Sequence, residues 1–75
     1  MSKIPKILIV DDNPEVLGFL CEVVKNQGYE AFEARNAIMA LEYMEDNIFQ
    51  AAIIDVVLPD MNGIELMRKL RRIDP

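Results

Sequence analysis

The chain has 75 residues, of which 52% are apolar and 28% charged, enough for one small domain outside the disordered class. A single cysteine, Cys21, excludes disulfide staples, and the absence of histidine excludes a histidine-based zinc site or a histidine general base. Thirteen acids against eight bases give a net charge of −5, the wrong sign for a general nucleic-acid backbone binder.

The first element is "KILIV" (6–10), a short β-branched run suited to a central strand buried on both faces. Asp11-Asp12-Asn13-Pro14 follows. Asn13 suits a helix N-cap and Pro14 the first helical position. Val16, Leu17, Leu20, Val23 and Val24 then recur at helical spacing, and Gly28 is the stop, so a helix is predicted over about 14–27. Cys21 falls on it as a small, partly buried hydrophobe.

"YEAFEA" (29–34) alternates with two glutamates and reads as a less buried edge strand. Asn36 caps a second predicted helix through about Asp46, with Ile38, Leu41 and Met44 on its apolar face. "QAAIIDV" (50–56) predicts a third strand, again a buried apolar run, closed by Asp55. The loop "VLPDMNG" carries the breakers Pro59 and Gly63. Asn62 caps a third predicted helix with Ile64, Met67 and Leu70 as its stripe, widened by Leu66 and Ile73. The basic run "RKLRR" (68–72) is expected to be a solvated face near that helix's C-terminal end. The aromatic residues Phe19, Tyr29, Phe32, Tyr43 and Phe49 are scattered and predict no stacking platform for nucleic acid.

Alternating strands and helices predict an α/β domain with a parallel sheet and helices on both faces. The strand ends then carry the chemistry. Strand C-termini in a parallel sheet share one edge, and with strand order 2-1-3 the first and third strands are neighbours. Asp11, Asp12 and Asp55 would then converge in the crevice where such sheets bind ligands. Three carboxylates there repel one another unless a cation sits among them, and hard oxygen ligands with open positions suit Mg²⁺. Asp55 is flanked by Ile53-Ile54 and Val56-Val57, where an ionised group is expensive unless paired or metal-bound. A phosphatase using an aspartyl nucleophile on the first strand would want a second acid two residues after Asp11, and Asn13 stands there instead.

The segments "ILIVDDNPEVLGFL", "GYEAFEARNAIMALEYME" and above all "AAIIDVVLPDMNGIEL" resemble a response-regulator receiver domain. The resemblance runs through all 75 residues, with Asp55, Pro59 and Gly63 at the family's distances. It implies a flavodoxin-like fold and, here, a βαβαβα piece of order 2-1-3. It implies that Asp55 is the phosphoacceptor for a sensor histidine kinase or phosphotransfer protein. By the same resemblance, Asp12 ligates Mg²⁺ directly, Asp11 acts largely through water, and the backbone carbonyl of Val57 is a further ligand. A module of this kind signals and is not a conventional turnover enzyme.

Complete receivers continue through two further strand–helix units bearing a Ser or Thr and a Lys that contact the phosphoryl group. No residue here matches either, since Lys69 lies inside the third helix. Residues 1–75 are therefore expected to be the N-terminal three units, with the fourth and fifth absent. In that case the third strand is an unguarded apolar edge, which predicts a homo-oligomer, a two-fold dimer, through it. The alternative function is a self-associating assembly module without phosphotransfer. The longest early apolar run, Ile7 to Val10, is too short for a signal peptide or a membrane span. A lone thiol fits a reducing compartment, so a cytoplasmic location with no membrane or direct nucleic-acid partner is expected.

Overall fold

A computed structural model describes residues 4–55 and 58–73. The elements alternate as expected: β1 (Lys6–Val10), α1 (Pro14–Asn26), β2 (Glu30–Ala34), α2 (Ala37–Asp46), β3 (Ala51–Ile54) and α3 (Gly63–Ile73). The sheet is parallel with order β2-β1-β3. In register, Ile7 to Val10 pair with Ala31 to Ala34 on one side and with Ala51 to Ile54 on the other.

Alternation along β1 feeds two cores. Ile7 and Ile9 face α1 and pack with Leu17, Cys21 and Val24. Leu8 and Val10 face the opposite way and pack with Ala34, Ala37, Ala40, Met44, Leu58, Leu66 and Leu70. Phe32, Tyr43 and Phe49 lean against this second core. Phe32 sits edge-on to Tyr43 at 5.3 Å and to Phe49 at 5.2 Å between ring centroids. Three of the five aromatics thus form one cluster, although their sequence positions are scattered; the residues joining them lie on different elements.

Local chemistry sets the helix ends. Asn13 Oδ1 accepts from the amides of Glu15 (2.9 Å) and Val16 (3.3 Å), with Pro14 at the first helical position. At the other end Gly28 adopts φ +91°. Its amide donates to the Lys25 carbonyl, and the Tyr29 amide donates to the Val24 carbonyl. That is a Schellman stop, and the left-handed backbone at Gly28 is what requires a glycine. Asn62 Oδ1 accepts from the Ile64 amide at 2.7 Å and starts α3.

Three expected faces are turned. On α2, Ile38 is 60% exposed, and the buried seam is Ala37, Ala40 and Met44. On α3, Ile64 (53%) and Met67 (47%) are exposed, while Leu66 and Leu70 are buried beside the buried Gly63. The side chain of Ile73 lies outside the described residues. The third correction concerns β3. Its residues Ala51 to Ile53 are exposed and only Ile54 is half-buried, so the apolar run is not a buried strand. The reason is topological: among the described residues β3 pairs with β1 alone, which agrees with the expected edge strand and not with a strand buried on both sides.

Candidate metal site

The sheet's carboxyl edge is built by the ladder. The Asp11 amide donates to the Ala34 carbonyl at 3.1 Å, and the Asp55 amide donates to the Val10 carbonyl at 2.8 Å. Hydrogen bonding therefore continues one residue past each strand, and Asp11 and Asp55 become the next neighbours after the Val10–Ile54 pair. Asp12 is the following residue on the turn toward α1. The Asp11 side chain is fixed as well, since its Oδ1 accepts from the Asn13 amide at 2.9 Å.

These three acids are brought together as expected. One carboxylate oxygen from each of Asp11, Asp12 and Asp55 lies within 4.8 Å of the others. Asp11 and Asp55 are half-buried and Asp12 is exposed. Around one Mg²⁺, neighbouring oxygens stand roughly 3 Å apart and opposite ones roughly 4 Å apart. The ceiling of 4.8 Å is close to that span, so one ion can be shared by all three directly or through a water. Hard anionic oxygens, partial exposure and mutual repulsion form a donor set that fits Mg²⁺. Val57, the expected carbonyl ligand, lies outside the described residues.

A further acid of the site region escaped the sequence reading. Asp60, in the loop between β3 and α3, turns its carboxylate onto the first turn of α2. Oδ1 accepts from the Ala37 amide at 2.8 Å and Oδ2 from the Ile38 amide at 3.0 Å. Asn36 Oδ1 accepts from the Met39 amide at 2.8 Å, and the Ala40 amide starts the helical ladder on the Asn36 carbonyl. Every amide of that first turn therefore has an acceptor. The Ala37 bond is the main reason the Asp60 carboxyl is held below the ordinary value of 3.8. Desolvation opposes it, and the Ile38 amide and the residue's own amide add to it. A signal for this contact exists in the sequence: α1 and α3 carry Glu15 and Glu65 in their first turns, whereas α2 carries no acid of its own there.

No helix among the described residues is long and apolar enough to cross a membrane. Comparison with known proteins places this architecture. The chain is 36% identical over 69 residues to sporulation initiation phosphotransferase F of Bacillus subtilis, covering 92% of this chain and 56% of that protein. It is 33% identical over 70 residues to the response regulator receiver protein CpdR of Brucella abortus, covering 93% and 58%. Among solved structures, a CheY-like receiver domain protein of Methanospirillum hungatei superposes with a TM-score of 0.93 at 36% identity, over 97% of this chain and 58% of that one. The response regulator TrrA of Thermotoga maritima, solved in complex with Mg²⁺-BeF, superposes at 0.88 with 30% identity, over 95% and 62%. The chain spans somewhat over half the length of these relatives. The flavodoxin-like order β2-β1-β3, the acids at the sheet's carboxyl edge and a match of the response regulator receiver domain model over residues 7–75 lead to one assignment: this chain belongs to the response regulator receiver domain family.

Proposed function

We propose that this chain is the phosphoacceptor module of a two-component phosphorelay, with Asp55 as the residue phosphorylated. The observation that carries the reading is the convergence of Asp11, Asp12 and Asp55 at the ends of two adjacent parallel strands. An Asp55 carboxylate oxygen attacks the phosphorus of a phosphohistidine on a sensor kinase or phosphotransfer protein. The P–N bond breaks, a P–O bond forms, and the departing imidazole nitrogen takes up a proton. Asp12 would hold Mg²⁺ directly, Asp11 largely through water, and Asp55 with the Val57 carbonyl would complete the protein's share. The bound cation would neutralise charge between the carboxylate and the phosphoryl oxygens. The chain's own part is positional: the ladder bonds to Ala34 and Val10 hold the two strand-end acids side by side. Residues 1–75 then act as the first three strand–helix units of a cytoplasmic signalling receiver, and the partner is the kinase or phosphotransfer protein.

Acetyl phosphate tests this. With Mg²⁺, intact mass should rise by about 80 Da, the mass of one phosphoryl group. The gain should vanish with EDTA and in Asp55→Asn. An unmodified wild-type mass would overturn the proposal.

A further inference from the structure

We infer that Asp60 is a positioning residue for the carboxylate site, tying the β3–α3 loop to the junction that also holds Asp11. The inference rests on the proposed role of Asp11, Asp12 and Asp55.

Segment 34–38 makes contacts at both of its ends. Its first residue, Ala34, gives its carbonyl to the Asp11 amide. Its last two residues, Ala37 and Ile38, give their amides to the two oxygens of Asp60. One short stretch of backbone therefore bonds both Asp11, at the end of β1, and Asp60, in the loop after β3. The stretch itself is firm. Ala34 and Ala37 are fully buried, and Ala40, Met44, Leu58 and Leu66 pack around them.

The loop needs such an anchor. Its entry is pinned by the Asp55 amide on the Val10 carbonyl, and its exit by the Asn62 cap on Ile64. Between these points, among the described residues, Leu58 is the buried apolar contact, and Asp60 makes the hydrogen bonds to another element. A carboxylate accepting at both oxygens fixes a direction as well as a position. It also meets the positive end of α2, which has no acid of its own in its first turn. Removing Asp60 leaves α2 with its Asn36 cap, so the helix persists. What is lost are the two bonds that hold the loop to the segment whose other end bonds Asp11.

A helix cap alone would not alter metal binding, and this separates the two roles. The test compares wild type with Asp60→Ala, Asp60→Asn and the control Asn36→Ala, which removes the other cap of α2 and leaves the loop tie. Mg²⁺ is titrated into each folded protein and read by amide shifts in ¹H–¹⁵N NMR, with thermal melting recorded alongside. Asp60→Ala should weaken Mg²⁺ binding by about 10-fold, as lost outer contacts do at metal sites. Asp60→Asn keeps one acceptor oxygen and should fall between it and wild type, which also serves if Asp60→Ala does not fold. Asn36→Ala should melt earlier yet bind Mg²⁺ within about twofold of wild type, because it leaves every contact of the loop in place. Unchanged affinity in both Asp60 variants, or an equal loss in Asn36→Ala, overturns the positioning role alone. A wild type that does not bind Mg²⁺ overturns the proposed function and this inference with it.

Discussion

Replacing Asp55 with asparagine tests the electrostatics of the site in one step, because asparagine keeps the shape and removes the charge. In the metal-free protein the carboxylate oxygens of Asp11, Asp12 and Asp55 lie within 4.8 Å of one another. Two unit charges at that distance repel by about 1 kcal/mol at the dielectric of water and about 3.5 kcal/mol at an effective value of 20. Asp11 and Asp55 are half-buried, which places their pair between these limits. Asp12 is exposed and adds little. Relief of this repulsion alone favours Asp55→Asn in the metal-free protein by ~2 kcal/mol, which for a domain of this size is ~10 °C in melting temperature. Mg²⁺ should act in the opposite sense. It stabilises wild type by mass action, by about 1.4 kcal/mol at ten times its dissociation constant, and the variant much less. Circular-dichroism melts in EDTA, and then in rising MgCl₂, read both effects. A variant that melts at or below wild type in EDTA would refute the repulsion argument. Equal Mg²⁺ shifts in the two proteins would remove Asp55 from the cation site.

Asp60 gives a pH signature. Its carboxyl titrates below the ordinary 3.8 in the folded protein, chiefly through the Ala37 amide, so it adds stability above the unfolded value and loses it as pH falls through the folded one. The stability difference between wild type and Asp60→Asn should accordingly be constant near neutrality and shrink in acid below 3.8; a difference that grows on acidification contradicts the cap.

What the sequence discloses depends on how far apart the partners lie. Asn13, Asn36 and Asn62 are legible as caps because each bonds an amide two or three residues on. Gly28 is legible because its φ is a local property. The acid cluster was legible only on the condition of order 2-1-3, since Asp11 and Asp55 meet through strand pairing. Face assignments failed where apolar residues circle most of a helix. On α3, Ile64, Leu66, Met67 and Leu70 offer several stripes, and the one that is buried holds Leu66 and Leu70 with Gly63. The run Ala51 to Ile54 reads the same whether or not a neighbouring strand covers it. Asp60 bonds amides 22 and 23 residues away, a contact no spacing rule encodes.

The energetics of this fold and of its site run in opposite directions, and the junction after β2 reconciles them. Bringing three carboxylates together destabilises the metal-free chain, and that same repulsion is what a cation relieves on binding. A loose cluster would spread and lose this preference. Spreading is opposed at Asp11 by the Ala34 carbonyl and the Asn13 amide, at Asp55 by the Val10 carbonyl, and beyond it by Asp60 on α2. The restraints at Ala34, Val10 and Ala37 end in backbone of the core around Leu8, which is fully buried. Burial of β1 thus supplies the stability that the acids draw down. On the proposed reading, a small divalent ion would be preferred because the strand-end backbone can give way little.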